Sequence, residues 1–481
     1  MGLRRLVNME EQDMAMFERD MKEHIFNALG RARKRTGRSD VFVSLKDEMG
    51  NFKKCISRSD DVEGMLSLYE ASFRSVEDEF ILDEARDFTS KFLKEFVDKN
   101  RGNDTSILIN HALELPLHWR VPRWEALWFI NFLTERRQNA SSHALLQFAT
   151  LDFNMVQSIH QEELKYTSRW WKRTGLVEEL SFIRDRLVVN LFWTVGLNFL
   201  PDLGNFRKVI TKVISLITTI DDIYDVYGTL DELELFTEAI KRWDLNAMDG
   251  LPHYMKICFL ALYNFVNETA YVILKENGYN VIPYLKKAWA DLCKAQLVEA
   301  RWYYSGYTPR LQEYMENAWI SISAPLVLIH AYFLIPKPLQ EEDFVCLLEE
   351  YPNIIRFSAI ISRLANDNIA SCQREMETGD VSKSVQCYMN ETGASEADSC
   401  EYLQSMICTT WKKMNEEALN SSFSRSFIDI VVNVARMAVC MYQYGDGYTV
   451  HDHDTKTRIQ SLIMQPIPVT SKEEYAAEMN N

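Results

Sequence analysis

Three aspartates in the segment DDIYD (221–225) are the residues of this 481-residue chain best suited to metal chemistry. Asp221 and Asp225 are four residues apart, so on a helix they share one face, with Asp222 beside them. Apolar residues flank the segment, which predicts a buried helix that carries carboxylates into an interior. Buried carboxylates need protonation or a cation, and Mg²⁺ takes oxygen ligands and bridges carboxylates to phosphates. The alternative is a helix end whose acids lie in water.

A second group of oxygen ligands lies in the segment 362–380. Asp367, Ser371 and Glu375 recur every four residues and therefore share a stripe of a helix. Arg363 lies one turn earlier on that stripe, and a guanidinium gives bidentate contacts to phosphate. Alone, this pattern also fits a surface stripe with an Arg–Asp pair. With the first segment, it predicts two facing acidic helices that hold a metal-bound diphosphate, since helical bundles build metal sites from facing helices.

Cationic and aromatic residues could complete such a site. Arg184 and Arg186 precede the first acidic segment by about one helix, and Lys383 follows the second. Aromatic residues at helical spacing usually form an ordinary core, but aromatic faces in an interior cavity can stabilise a carbocation. The candidates are Trp193, Tyr224, Tyr227, Trp302, Tyr442, Tyr444 and Tyr448. The run HDHD (451–454) is predicted to be an exposed loop or part of a lid.

Helices must position these groups, and helical periodicity dominates the chain. The predicted helices include 145–171, 174–196, 205–227, 231–241, 253–276, 281–304, 311–334, 340–348, 352–377, 394–417 and 424–443. The stretch 209–220 is rich in β-branched residues, but its apolar positions follow a period of 3.6 and predict a helix. No clean alternating strand pattern is present, so the predicted fold class is all-α. The proline-containing connector 114–124 and the polar segment 136–143 predict a boundary near residue 140, between domains 1–140 and 141–481.

Composition excludes several classes of protein. The chain has only 17 Gly and 12 Pro, which disfavours sandwiches and barrels, and 12% aromatic residues exclude disorder as the main state. A net charge of −16 argues against a protein that coats nucleic acid. The nine cysteines show no CxxC spacing, which favours free thiols over a zinc cluster or disulfide scaffold. No apolar run approaches about 18 residues, so no membrane partner is expected.

Four segments resemble those of plant class I terpene synthases, in the monoterpene synthase group of the mint family and its relatives. They are DDIYDVYGTLDELELF (221–236), RWYYSGYTP (301–309), VSKSVQCYMNETGAS (381–395) and YGDGYT (444–449). The resemblance implies an all-α fold with a C-terminal catalytic bundle around a hydrophobic cavity and a smaller N-terminal helical-barrel domain. It also implies three Mg²⁺ ions, sometimes Mn²⁺, and a prenyl diphosphate substrate.

The resemblance implies roles for individual residues, which form three overlapping sets. The catalytic set is Asp221, Asp225, Arg184, Trp193, Tyr442 and Asp446. The substrate-binding set is Arg184, Arg186, Asp221, Asp225, Arg363, Asn366 and Lys383. The metal-binding set is Asp221, Asp222, Asp225, Asp367, Ser371 and Glu375.

The second metal motif departs from the family pattern, because Asn368 stands as an extra residue before the aliphatic position. The two competing alignments of its ligands are Asn366/Ala370/Arg374 and Asp367/Ser371/Glu375. The first would place a methyl group and a cation where oxygens are needed, so the second is preferred. The insertion rotates one flank of the helix by about 100° unless a π-bulge absorbs it, and reduced activity could follow.

Two other positions differ from the family. Val189 stands where a glutamate is usual after the RxR segment. Arg4 and Arg5 are similar to the family's tandem arginines, but Met14 occupies the place of its tryptophan. The family's N-terminal strand caps the closed active site and is linked to cyclisation, so this difference favours an acyclic or altered product.

These features predict a lyase that ionises a prenyl diphosphate, with geranyl diphosphate as substrate and a monoterpene plus diphosphate as products. Arg184, Arg363 and Lys383 would neutralise the diphosphate together with the metals. The open alternatives are a farnesyl diphosphate-using sesquiterpene synthase, a chain-elongating prenyl diphosphate synthase and an inactive helical scaffold. The elongating enzyme would need two DDxxD motifs, and this sequence contains only one. We expect a monomer or homodimer in the plastid stroma if a transit peptide is removed, and otherwise in the cytoplasm.

Overall fold

The structure, a computed structural model, describes residues 62–136, 140–336, 344, 346–347, 350–370, 382–443 and 453–469. Every regular element in these residues is a helix, which confirms the predicted all-α fold class. The chain divides into two compact units, Met1–His118 and Trp119–Asn481.

The described part of the first unit consists of α1 (Val62–Ser72), α2 (Phe80–Lys99) and α3 (Asp104–Glu114). Its helices bury an apolar core made by Met65, Tyr69, Ala85, Leu93, Ile109 and Ala112. Helix α3 begins at an N-cap: the Asn103 side chain accepts a hydrogen bond from the Ser106 N–H at 2.6 Å, which satisfies one of the free donors of the first turn.

The second unit is a helical bundle. Its helices are α4 (Pro122–Arg136), α5 (Ala140–Thr174), α6 (Leu176–Glu179), α7 (Leu187–Leu197), α8 (Gly204–Asp222), α9 (Leu230–Arg242), α10 (His253–Asn277), α11 (Ile282–Ser305), α12 (Leu311–Ser321), α13 (Ala324–Leu334), α14 (Asn353–Ala370), α15 (Ser384–Thr392), α16 (Glu396–Asn420), α17 (Arg425–Met441) and α18 (His453–Ile459). Short 3₁₀ turns lie at Leu117–Trp119, Pro201–Leu203 and Leu245–Gly250, and π-helical turns at Ile223–Tyr227 and Gln460–Met464.

Helix α8 lies in the core of the bundle and ends at the first acidic segment. It packs against α5, α7 and α13. Its apolar residues at helical spacing, among them Ile210, Val213, Leu216 and Ile220, are completely buried. Burial of each such side chain contributes roughly 1.5–3 kcal/mol, which outweighs the strand preference of its β-branched residues. The helix predicted for 209–220 is therefore confirmed.

Two helices that the sequence predicted as continuous are broken, so these two predictions are wrong. The stretch 174–196 divides into α6 and α7. In the connection, the Arg184 N–H donates to the Asp222 carboxylate instead of a helical carbonyl, and Asp185 accepts a hydrogen bond from the N–H of Leu187, the first residue of α7. The stretch 311–334 divides into α12 and α13. The break lies at Ser323, whose φ of 65° is left-handed, just before a proline in the first turn of α13.

Two described stretches, His253–Asn277 and Leu311–Leu334, are long and apolar enough to span a membrane by length and composition. Both are bundle helices here, and the second is the broken pair α12 and α13. The expectation of no membrane partner stays a prediction. The predicted domain boundary near residue 140 also stays a prediction; the division into compact units lies between His118 and Trp119.

Candidate active site

The first acidic segment leaves the α-helical geometry immediately after Asp222. Residues Ile223–Tyr227 form a π-helical turn, in which the Gly228 N–H donates to the Ile223 carbonyl at 2.8 Å. The three aspartates consequently have different environments: Asp222 is buried, Asp221 is half-buried and Asp225 is exposed. Such single π turns are frequent at functional sites. The sequence analysis predicted a continuous helix here and missed the turn.

Arg184, in the connection between α6 and α7, binds two of these aspartates. Its Nε donates to Asp222 Oδ1 at 2.6 Å and its Nη2 to Asp221 Oδ2 at 2.8 Å. Its backbone N–H donates to Asp222 Oδ2 at 2.7 Å. Burial raises the pKa of Asp222, and the nearby Arg184 charge opposes this shift. Arg184 is thus the cation that permits a buried carboxylate at this point.

Asp222 and Asp221 differ in how many of their oxygens are already held by Arg184. Both oxygens of Asp222 accept hydrogen bonds from Arg184. Asp221 accepts one bond from Arg184 and a longer one, at 3.2 Å, from the Gln296 amide on α11. The half-buried Asp221 and the exposed Asp225 are therefore better placed than Asp222 to bind a metal ion.

The described part of the second acidic segment, on α14, contains a sealed ion pair between Arg363 and Asp367, whose side chains are both buried. Arg363 Nη1 donates to Asp367 Oδ1 at 3.1 Å. The other carboxylate oxygen accepts from the Tyr314 hydroxyl at 2.9 Å and from the Ser384 N–H at 3.2 Å. Asp367 is 0% exposed. A metal ion at Asp367 would have to displace these donors, so the geometry argues against the predicted ligand role of this residue.

Arg363 is held from several sides. Burial alone would lower its pKa, but Tyr314, Asp367 and Glu299 raise it well above its usual range. Its guanidinium also donates to the Ala318 carbonyl at 3.2 Å and to the Asn366 side-chain oxygen at 3.2 Å. Asn366 is half-buried, which leaves it more accessible than Asp367.

Both acidic segments are linked to α11 through hydrogen bonds. Gln296 on α11 binds Asp221, and Glu299, three residues later, accepts from the Ser321 hydroxyl on α12. Arg363 Nη2 lies 3.3 Å from that hydroxyl. The two segments are therefore linked to residues of one helix that are one turn apart; the predicted facing of the two acidic helices across a common site stays a prediction. The sequence analysis missed Gln296, Glu299, Ser321 and Tyr314; the signal for the first two was a polar pair three residues apart in an apolar stretch.

The other predicted site residues have varied positions. Trp193, which the resemblance places in the cavity wall, and Tyr442, which it places in the lid, are in contact, with ring centroids 6.2 Å apart. Arg186 is the N-cap residue of α7, and Lys383 is the N-cap residue of α15, next to the Ser384 that binds Asp367. The predicted residues outside the described part of the chain are Ser371, Glu375, Tyr444, Asp446, Tyr448 and the first half of the 451–454 run; the second half begins helix α18.

The remaining aromatic candidates differ in role. Tyr224 is buried and its hydroxyl lies 2.6 Å from that of Thr237, so it belongs to the core. Tyr227 is 55% exposed and stacks on Phe182 at 4.0 Å. Trp302 lines an open cavity of about 450 Å³ with Leu230, Arg301, Tyr304, Ser305 and Tyr307.

The carboxylates fit a metal that the substrate helps to bind. Among the residues that the structure describes, no group of three or more His, Cys, Asp or Glu side chains is arranged to hold a metal ion. Mg²⁺ commonly uses one or two carboxylates, several waters and substrate phosphates rather than an all-protein cage. Asp221 and Asp225 are two carboxylates of that kind, half-buried and exposed. The metal roles predicted for Asp221, Asp222, Asp225, Asp367, Ser371 and Glu375 stay predictions.

Comparison with known proteins identifies the family. Residues 172–413 match the family model described as "Terpene synthase family, metal binding domain", and residues 34–113 match "Terpene synthase, N-terminal domain". The chain belongs to the terpene synthase family. It is 58% identical over 431 residues to a chloroplastic myrcene synthase of Quercus ilex, covering 89% of this chain and 71% of the relative. It is 53% identical to a chloroplastic linalool synthase of Coffea arabica, covering 89% of this chain and 74% of the relative.

Solved structures agree with the family and the fold. The isoprene synthase of grey poplar leaves, in complex with three Mg²⁺ ions and dimethylallyl-S-thiolodiphosphate, gives a TM-score of 0.84 at 47% identity, covering 90% of this chain and 82% of that one. Limonene synthase with 2-fluorolinalyl diphosphate gives a TM-score of 0.85 at 44% identity, covering 89% and 78%. The chain is a lyase of this family, with a prenyl diphosphate substrate and a divalent metal cofactor.

Proposed function

We propose that this terpene synthase ionises geranyl diphosphate in a reaction that depends on Mg²⁺ and yields a monoterpene plus diphosphate. The observation that carries the proposal is a half-open cluster: Arg184 binds Asp221 through side chains that are 28% and 35% exposed, and the exposed Asp225 lies in the π-helical turn that follows. These residues combine carboxylates for a cation with a guanidinium for a phosphate. The similarity to myrcene, linalool and α-terpineol synthases supports a ten-carbon substrate.

The residues of the cluster would divide the work of binding. Asp221 and Asp225 would hold the metal, and the half-buried Asn366 is a better-placed oxygen donor on α14 than the sealed Asp367. When bound, the metal neutralises the charge that develops on the diphosphate leaving group. Three Mg²⁺ ions, with Mn²⁺ as a substitute, remain our expectation for the number and kind of ions.

Arg184 would change partner when substrate binds. Its side chain is 28% exposed, so Nη2 can leave Asp221 for a phosphate group while Nε and the backbone N–H stay on the buried Asp222. Arg363 is different, because its guanidinium is fixed by Asp367, Ser321 and a backbone carbonyl. Arg363 would therefore position α12 and α14 rather than follow the substrate.

Trp193 and Tyr442 would form part of the wall around the allylic cation. Their rings meet at 6.2 Å and come from two helices, α7 and the end of α17. Aromatic faces attract cations, and an apolar wall excludes the water that would quench the intermediate.

We also place the enzyme in the plastid, because several relatives are chloroplastic.

The test is product formation from geranyl diphosphate and Mg²⁺, with gas chromatography of the products and a parallel assay on farnesyl diphosphate. We expect a monoterpene, and we expect Asp221→Asn to reduce turnover by at least roughly 100-fold, on the scale of losing one group that stabilises developing charge. Asp249→Asn, which changes an exposed aspartate in a surface turn, is the matched control. Retained activity in Asp221→Asn, or no terpene from either substrate, would contradict the proposal.

A further inference from the structure

Gln296 places an unpaired amide oxygen beside the first acidic segment. It lies on α11 and is only 5% exposed. Its Nε2 donates to Asp221 Oδ1 at 3.2 Å, and its Oε1 is buried without a hydrogen-bond partner among the described residues. Only the NH₂ end of an amide can donate to a carboxylate, so the hydrogen bond fixes which atom binds Asp221 and which remains unpaired.

A buried carbonyl oxygen without a donor is costly. The desolvation penalty of such an atom is about 1–3 kcal/mol, so a buried acceptor normally receives a hydrogen bond from a protein group, a water or a ligand. The neighbouring buried carboxylate on the same helix shows the contrast: Glu299 accepts hydrogen bonds from Ser321 and from the Asn317 amide at 3.2 Å. Gln296 therefore has the environment of a residue that receives a hydrogen-bond donor when the site is filled.

We propose that Gln296 is a positioning residue for the divalent metal, in which Oε1 accepts a hydrogen bond from a metal-bound water. This inference rests on the proposed function, because it takes Asp221 as a metal ligand. Mg²⁺ gives up its water reluctantly and keeps several waters when a protein binds it, and those waters are strong donors. Nε2 meanwhile orients the Asp221 carboxylate, the kind of outer-shell contact whose loss typically weakens metal binding 10- to 100-fold.

Two features separate this role from that of an ordinary buried glutamine. The first is the partner: Gln296 binds the half-buried carboxylate that also pairs with Arg184. Gln157 on α5, by comparison, is 1% exposed and donates to the carbonyls of Ser461 and Gln465 at 3.0 Å, which links α5 to the π-helical turn Gln460–Met464 and binds no carboxylate. The second feature is the unpaired oxygen of Gln296, which needs a donor that the described protein groups do not provide.

The experiment measures the Mg²⁺ concentration that gives half of the maximal thermal stabilisation in the presence of inorganic pyrophosphate. Gln296→Leu removes both amide atoms and should raise this concentration roughly 10- to 100-fold. Gln296→Glu keeps an acceptor oxygen but loses the donor to Asp221, so its midpoint should lie between those of wild type and Gln296→Leu. Gln157→Leu is the matched control, which should lower the melting temperature but leave the Mg²⁺ midpoint unchanged.

The outcomes distinguish this inference from the proposed function. An unchanged midpoint in Gln296→Leu overturns the positioning role even if the enzyme is active. A midpoint in Gln296→Glu as high as in Gln296→Leu overturns the acceptor role of Oε1. If wild type shows no Mg²⁺-dependent stabilisation, the metal site itself fails, and both proposals fall together. Cooperative melting of each variant establishes that it is folded.

Discussion

Two Arg–Asp pairs with the same chemistry have opposite environments in this bundle. In the half-open pair, the side chains of Arg184 and Asp221 are 28% and 35% exposed. In the sealed pair, those of Arg363 and Asp367 are 7% and 0% exposed. The sequence predicted that all four residues belong to one metal and diphosphate site. The exposure of their side chains indicates instead that the sealed pair holds helices together, whereas the residues of the half-open pair can give up their contact with each other and bind ions.

The difference follows from desolvation. A buried ion pair whose partners are both hydrogen-bonded is stable, but removal of one partner leaves an uncompensated charge in a medium that solvates it poorly. A pair with a third of its surface in water loses little when one partner is removed, because solvent replaces the interaction. Variants of the sealed pair should therefore report mainly on stability, and variants of the half-open pair mainly on binding.

The largest stability loss is expected for Asp367→Ala. The variant leaves the Arg363 guanidinium buried and removes the acceptor for Tyr314 and Ser384. We expect the free energy of unfolding to fall by about 3–5 kcal/mol, measured by urea denaturation. Asp249→Ala, at an exposed position, should change it by less than about 0.5 kcal/mol. A stable Asp367→Ala variant with weakened Mg²⁺ binding would restore Asp367 as the metal ligand that the sequence predicted.

A smaller loss is expected for Tyr314→Phe. This change removes the hydroxyl that donates to Asp367 Oδ2 at 2.9 Å and keeps the ring, which is completely buried. The carboxylate retains Arg363 and the Ser384 N–H, so the cost is that of one lost donor, about 1–3 kcal/mol in the free energy of unfolding. Equilibrium denaturation of Tyr254→Phe provides a control at a half-buried tyrosine that binds Glu232. Equal losses in the two variants would mean that burial of the sealed pair adds nothing.

The half-open pair should respond differently. Arg184→Gln removes a guanidinium that is 28% exposed but also binds the buried Asp222, so the free energy of unfolding should fall by about 1–3 kcal/mol in metal-free buffer, less than in Asp367→Ala. Binding of a diphosphate analogue, measured by calorimetry with Mg²⁺ present, should weaken much more, because a bidentate phosphate contact is lost. If stability falls as far as in Asp367→Ala, Arg184 is a structural residue and the contrast between the two pairs disappears.

The sequence predicted those features of the fold that depend on periodicity. The helix over 209–220 formed because its apolar positions follow one face, and that face is buried in α8. The break between α6 and α7 was not predictable, because the Arg184 N–H finds its acceptor in Asp222, 38 residues later. A local pattern contains no information about such a distant partner.

The site shows the same limit. Residue types and spacing predicted the aspartates of the first segment and a bundle helix, α14, that carries the second acidic segment. The sealing of Asp367 did not, because its donors come from Tyr314 and Ser384, 53 and 17 residues away in the chain. The spacing of Asp367, Ser371 and Glu375 on one stripe describes a helix face, but whether that face meets solvent or core depends on what packs against it.

The smallest effect concerns Asp222, the buried second partner of Arg184, and is the pH dependence of Asp222→Asn. Burial raises the pKa of Asp222, Arg184 opposes the shift, and Asp221 adds to it. A raised folded-state pKa means that the charged form is less favoured in the folded chain than in the unfolded one. The stability contributed by this group is therefore present below the ordinary aspartate pKa of about 3.9 and is lost as the pH rises through the folded-state value.

Asparagine does not titrate, so the variant escapes this loss. In metal-free buffer with a chelator, the stability of Asp222→Asn relative to wild type should increase between about pH 4 and about pH 7, measured by urea denaturation at each pH. The exposed-site control Asp249→Asn should show no such trend. A relative stability that decreases over this range would mean that Arg184 outweighs burial at Asp222. Arg184 would then stabilise the metal-free fold through Asp222 in the way that Arg363 does through Asp367, and the separation of binding from stability would fail.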